Sequence, residues 1–398
     1  MADPTDTHAT SSQSKTAIWN DPTFRSIAFQ VLAAAAIGWF FYTIFDNTLT
    51  NMERRGITTG FAFLDSTAGF GILMSLIEYD ETHTYGDTFF VGLLNTLLVS
   101  VMGIVTATIL GFILGVARLS SNWLIAKIAT VYVEILRNIP LLLQIFFWYF
   151  AVLSTLPHPR DSINLLDGVF LNARGLYVPG PIPESGFGVI TTIFLMALVA
   201  SFLIVRWANK RQMETGQTFP SFLTSFGLII ILPLLAFFVM GMPMSLDYPA
   251  LKGFNFKGGI RVIPELMALW WALSLYTAAF IAEIVRAGIL AVSHGQTEAA
   301  HALGMRNGPT LRLIVIPQAM RVIIPPLTSQ YLNLAKNSSL ATAIGYPDLV
   351  GVFMGTTLNQ TGQAVEIVAM TMGVYLVMSL SISALMNMYN KKMSLVER

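Results

Sequence analysis

Eight stretches of this sequence each run for about twenty residues or more with few or no charges, and that pattern constrains the fold more than anything else in the chain. A hydrocarbon core of about 30 Å is crossed by roughly 20 apolar residues in a helix, because a helix satisfies its own backbone donors and acceptors where no water can. The runs lie near 26–45, 89–117, 125–156, 187–207, 221–243, 265–292, 311–334 and 364–388. They predict an all-α, polytopic membrane helix bundle of about eight transmembrane helices. Composition agrees: the chain is 54% apolar and 11% charged, against roughly 25% charged in soluble domains. The third and seventh runs are predicted to be the least regular. Pro140 interrupts one, and Pro317, Pro325 and Pro326 interrupt the other, each removing a backbone donor.

Two function classes fall away at once. With no cysteine there is no disulfide, thiolate metal site or cysteine nucleophile. With a net charge of +1 and no basic face, nothing marks a nucleic-acid binder. Lysine and arginine then set orientation. With the N-terminus inside, the inner loops and ends collect Lys15, Arg25, Arg118, Lys127, Arg206, Lys210, Arg211, Arg286, Arg306, Arg312, Lys391, Lys392 and Arg398. The outer loops collect fewer: Arg54, Arg55, Arg160, Arg174, Lys252, Lys257 and Arg261. The bias predicts both termini in the cytoplasm, and with them the loop that follows the sixth run.

That loop, Ser293 to Pro317, is a short polar, Ala-rich segment between two apolar runs. Ser293 and Gln296 have the spacing of a helix-opening capping box. Ala299, Ala300, Ala302 and Leu303 favour continuation, and Gly304 offers the left-handed backbone that ends a helix. Gly308 and Pro309 are expected to add a second break before Leu311. The expected product is a helix of roughly three turns lying across the membrane surface.

Glu298-Ala299-Ala300, Gly304, then Ile314, Ile316 and Pro317 resemble the EAA loop of ABC importer permeases, with isoleucine where leucine usually precedes the proline. Ala282 to Gly288 and Tyr132 to Leu142 are similar to the polar amino-acid uptake branch, and Phe170 to Gly175 and Gly253 to Gly259 to the larger permease subunits of general L-amino-acid systems. The resemblance implies an ABC importer type I permease core with a cytoplasmic coupling helix. It implies four kinds of partner: a separate ABC ATPase that binds ATP and Mg, a second homologous permease, a periplasmic amino-acid-binding protein and the amino-acid substrate. The protein itself would be a non-catalytic pore subunit in the bacterial inner membrane, with no cofactor or metal of its own. The chain contains no Gly-Lys dipeptide, hence no phosphate-binding loop of the GxxxxGK[ST] type.

On this reading the chain divides into a cytoplasmic tail at 1–25, a first span with a periplasmic segment at 26–88, and the first part of the permease core at 89–156. An insertion with two extra spans follows at 157–264, and the second part of the core, with the loop 293–317, at 265–398. Glu298, Ala299, Ala300, Leu303 and Gly304 are the candidates for ATPase coupling; taken alone, Glu298 would read as a solvated carboxylate. Ala299 and Ala300 are expected to present a smooth surface to the ATPase groove. Arg321 counts as intramembrane, and it is open between an ion pair with Glu134 or Glu283, snorkelling, and contact with a substrate carboxylate. Lys336 is placed where the seventh span exits, as a path residue, a cap or an interface anchor. Thr96, with Asn95 and Gln144, either bonds between helices or lines a path, the former being favoured. The aromatics at 146–149 read as packing or interface residues.

An ion-coupled secondary transporter is the alternative, since it too uses broken helices and intramembrane charge. An intramembrane metalloenzyme is disfavoured: there is no HExxH, and all five histidines fall in loops or tails.

Overall fold

The computed structural model describes residues 22–54, 56 and 59–393. Met1–Asp21 with Lys15, together with Arg55, Arg398 and the side chain of Lys392, lie outside the described residues. The helices are α1 (Pro22–Arg54), α2 (Tyr85–Ala117), α3 (Trp123–Asn138), α4 (Leu141–Leu153), α5 (Phe187–Thr215), α6 (Ser221–Val239), α7 (Pro264–Leu290), α8 (His294–Ala302), α9 (Asn307–Ile344), α10 (350–361) and α11 (Ala364–Met393). Each predicted apolar run is helical. Ends moved where local chemistry dictates: α2 begins at Tyr85 because Thr84 and Asp87 form a reciprocal capping box, the Asp87 amide donating to the Thr84 hydroxyl at 3.2 Å and the Thr84 amide to the Asp87 carboxylate at 3.0 Å.

Depth in the bundle can be read from paired contacts. Along α2 and α7, Trp270 donates to Thr106 at 3.1 Å, Gly111 faces Ile281, and Gly115 faces Val285. The two helices therefore run parallel. A methyl group on Gly111 would lie 2.6 Å from Ile281, and one on Gly115 2.7 Å from Val285. Glycine lets these backbones touch, which is how helices associate where lipid supplies no hydrophobic drive.

The third run is two helices, not one span with a kink: α3 and α4 meet at 106°. They still cross the membrane. Val133 packs with Ala279 and Ala282, Trp148 meets Trp271 with ring centroids 5.2 Å apart, and Tyr149 donates to Glu265 at 2.9 Å. The pair thus climbs antiparallel to α7 from Ala282 to Glu265, about 25 Å at the helical rise. With this pair counted as one, eight spans result. Pro140 causes the break, and Gln144 repairs it: its side-chain amide donates to the carbonyls of Leu136 at 2.9 Å and Ile139 at 3.0 Å, the former being the acceptor that loses its usual partner to the proline.

The seventh run corrects the prediction in the opposite sense. Helix α9 continues through Pro325 and Pro326 and extends past residue 334 as one helix to Asn337 and a tighter 3-10 stretch to Ile344. The break comes at Gly345, whose φ is +75°, and Pro347. It separates α9 from α10, which was not foreseen. Ile323 packs on Gly288, Leu334 on Gly103, and Tyr331 bonds Thr108 at 2.8 Å, so α9 runs antiparallel to α2 and α7. Helix α10 carries on in the same direction, with Leu349 bonded to Thr96 and Tyr85 to Gln360. Together α9 and α10 make one broken span.

The two outer segments at 157–186 and 244–264 contain short strands. β1 (Ile163–Leu166), β2 (Val169–Asn172), β3 (Gly175–Val178) and β8 (Ile260–Val262) form an antiparallel sheet in that order; β4 (Gly180–Pro183) pairs with β5 (Met244–Asp247), and β6 (Ala250–Lys252) with β7 (Asn255–Lys257). Glycines supply the turns: Gly168 has φ +78° between β1 and β2. Strands of three or four residues leave too little alternation to be read from sequence, and β3–β8 pairs residues far apart in the chain, Tyr177 with Arg261. The spans remain all helical, with this small β platform where α7 begins.

Gln144→Leu removes the two donors at the break without changing the apolar character of the span. It should cost about 1–3 kcal/mol, read as a lowered thermal unfolding midpoint in nanodiscs.

Candidate coupling helix and translocation path

Helix α8 follows α7 after a three-residue link. The expected capping box does not form: Ser293 stands at the N-cap with no side-chain bond. Gln296 turns sideways instead, its side-chain oxygen accepting from Gln318 of α9 at 3.4 Å. The helix end is as the sequence implies. Gly304 has φ +78° and its amide donates to His301 at 2.9 Å, while the Met305 amide donates to Ala300 at 3.1 Å. That double bond pattern is a Schellman motif, which satisfies the last carbonyls and requires a left-handed residue at glycine's place. Gly308 and Pro309 do not make the second break expected of them. They lie in the first turn of α9, after Arg306 at its N-cap, where a missing amide costs nothing.

The faces of α8 are now defined. Ala300 is 1% exposed and packs inward, so it seats the helix on its own bundle and is not part of a surface offered to a partner, a correction to the expectation. Ala299 and Glu298 are exposed, and Leu303 is 82% exposed. Glu298 meets His294 one turn earlier at 3.0 Å, both side chains largely in solvent. An apolar Leu303 at the tip, smooth Ala299 and a carboxylate form a small protruding knob.

On α7, Glu283 is held on both oxygens. Arg118, the C-cap of α2, bonds one, and Arg286 bonds the other at 2.5 Å. Neither of the carboxylates proposed for Arg321 serves it in that way: Glu283 is engaged here, and Glu134 is an exposed residue of α3 one position from the buried Val133. Arg321 itself is half-buried and stands two residues before Ile323, which packs on Gly288 in the last turn of α7. It therefore sits near the α8 end of the bundle, not deep within it. The reason is that α9 starts at Asn307 and its first turns lie beside α8, outside the tight glycine crossings.

Lys336 moves the other way. It is two residues past Leu334, which packs on Gly103 in the middle of α2, so it lies at mid-depth and not at the exit of the span. Its side chain is exposed, as are Ser329 and Asn333. The spacing of these three, i, i+4 and i+7, puts them on one stripe of α9. Ser329 and Asn333 carry no charge to mark them in an apolar run interrupted by prolines, and their spacing from Lys336 is the signal in the sequence that points to them. Thr96 is fully buried; its hydroxyl donates to Gly92 at 2.9 Å and accepts from the Leu349 amide at 2.9 Å. It caps the start of α10. Asn95 does similar work, donating to Pro347 of that break and to Met74 of the outer loop, each at 2.9 Å. The buried Asp348 completes the turn, accepting from Gly351 at 2.8 Å.

Comparison with known proteins was made against this geometry. Residues 195–395 match the family described as binding-protein-dependent transport system inner membrane component. YhdX of Escherichia coli (strain K12), whose assignment as an amino-acid ABC transporter permease is itself provisional, is 57% identical over 95% of this chain and 96% of its own. The general L-amino acid transport system permease protein AapQ of Rhizobium johnstonii is 53% identical over 100% of this chain and 98% of its own. The glutamate/glutamine/aspartate/asparagine transport system permease protein BztB of Rhodobacter capsulatus is 43% identical over 95% and 96%.

Gly304→Ala forces an L residue into the left-handed region at a cost of about 1–2 kcal/mol. The expected outcome is a frayed end of α8, seen as faster hydrogen exchange of the amides at positions 304 and 305 with α7 unchanged.

Proposed function

The chain belongs to the family of binding-protein-dependent inner-membrane transport components, as an amino-acid ABC transporter permease, and on that premise we propose how its parts divide the work. The observation that carries the proposal is α8: a helix seated inward by Ala300, closed by Gly304 and presenting Leu303 outward. An apolar side chain 82% exposed on a helix so firmly ended is a knob for a groove. The groove belongs to a separate ATPase, which binds ATP and Mg; Glu298 and Ala299 lie on the rim of the contact. The permease hydrolyses nothing.

The path runs along the stripe of Ser329, Asn333 and Lys336. A lysine at mid-depth facing lipid would cost roughly 2.5–3.5 kcal/mol, so its exposed face belongs to a water-lined path or to a second, homologous permease packed across it. Glu134 lies on the other exposed face open to such a partner, and Arg321 guards the α8 end. Thr96 stays a structural residue on this reading. A periplasmic binding protein delivers the amino acid to the end that bears the β platform, and the insertion at 157–264 supplies that platform with α5 and α6. Both termini and α8 lie in the cytoplasm, a reading that the lysine and arginine bias supports. ATP binding and hydrolysis shift the bundle between inward-open and outward-open states, which demands that the ATPase prefer one of them through α8. The relatives lend nothing to an ion-coupled mechanism.

Two variants separate docking from passage. Leu303→Asp should lower co-purification of the ATPase by more than about tenfold, as loss of a central apolar anchor does, with the permease still folded in the membrane. Lys336→Met should leave that assembly intact and reduce uptake of labelled L-amino acids in proteoliposomes. If Leu303→Asp retains the ATPase, the docking role of α8 is wrong.

A further inference from the structure

The Arg118–Glu283–Arg286 group ties the end of α2 to α7. Arg118 ends α2 and begins the turn into α3. Glu283 and Arg286 stand on α7, two turns or so before the link to α8. The side chain of Arg118 is only 10% exposed, and those of Glu283 and Arg286 are 27% and 31% exposed. A guanidinium so covered needs its counter-charge: removing one partner of a desolvated pair leaves the other stranded.

The neighbouring packing makes this contact mechanically distinct. Gly111 and Gly115 of α2 already touch Ile281 and Val285 of α7, and Gly288 of α7 touches Ile323 of α9. Those contacts hold the helices together by close packing, and on α2 the last of them is at Gly115, before the helix end. The carboxylate of Glu283, bonded on both oxygens, supplies attraction at the end of α2 where the glycine crossing stops. The positive charge at the C-terminus of α2 adds to it, since a helix C-terminus favours a cation.

We propose that Glu283 is a positioning residue for energy coupling: it makes the end of α2, and the α2–α3 turn with it, follow α7 when the ATPase displaces α8. The inference rests on the docking role proposed for α8. Without the tie, α8 would still dock and the ATPase would still turn over, while the end of α2 and the α2–α3 turn lagged behind α7. Substrate movement per ATP would fall.

The full importer, reconstituted with its ATPase and binding protein in proteoliposomes, tests this with a mixture of radiolabelled L-amino acids as probe. Glu283→Gln should retain the ATPase and its hydrolysis rate, and lower uptake per ATP by about tenfold, within the usual roughly 5–150-fold span of coupling effects. The chain has no cysteine, so Arg118→Cys with Glu283→Cys can be bridged selectively by a short reducible bis-thiosulfonate. The bridged protein should regain uptake per ATP, and reduction should abolish the gain in the same sample. Unchanged uptake per ATP in Glu283→Gln would overturn the proposal. So would parallel loss of assembly, hydrolysis and uptake, which marks a merely structural pair, or a bridged protein that stays uncoupled. Failure of docking itself would appear in Leu303→Asp, not in these ratios.

Discussion

In hydrocarbon a backbone donor or acceptor with no partner has no water to turn to, and this structure is organised around meeting that demand at two breaks. Pro140 opens one, and the side-chain amide of Gln144 closes it by reaching the carbonyls of Leu136 and Ile139. Gly345 and Pro347 open the other, and it is met from α2: Asn95 donates to Pro347, Thr96 accepts from Leu349, and Asp348 caps the turn that follows. Irregular backbone at membrane depth is tolerated where protein polar groups surround it. Thr88, Asn95 and Thr96 of α2 serve α10 and the break before it, through Thr357, Pro347 and Leu349.

The same economy of contacts sets which helices are bound tightly. Glycines on α2 and α7 bring α2, α7 and α9 close enough that a methyl group would clash. Around that rigid trio, α3 and α4 bend, α10 restarts the broken span, and α8 projects from the end. The role proposed for α8, the transmission of force, requires that it be joined to the stiff part of the bundle. Helix α8 is, through the three-residue link to α7 and through the bond between Gln296 and Gln318.

Much of the fold was legible, for identifiable reasons. The spans follow from hydropathy because the bilayer sets their length. The end of α8 follows from Gly304 because a left-handed residue is needed there and few others supply it. The start of the same helix misled, since a Ser-x-x-Gln spacing permits a capping box without compelling one, and Gln296 found a better use against α9. The prolines misled too. Pro325 and Pro326 sit inside a helix that bundle packing holds together, whereas the break fell at the Gly345–Pro347 pair, where a left-handed glycine and a proline act within three residues.

What the sequence alone determined were quantities of short range or simple sum: the number and length of spans, the charge bias across them, the stop of α8, the absence of a phosphate loop. Only the tertiary structure decided depth and facing. It placed Lys336 beside the middle of α2 and Arg321 near the α8 end, turned Ala300 inward and Leu303 outward, and gave Glu283 to Arg118 and Arg286. Helical periodicity says which residues share a stripe. Which neighbour that stripe meets, and at what height, depends on glycine crossings between separate helices, from Gly288 on Ile323 to Gly103 on Leu334, and no local rule reaches that far.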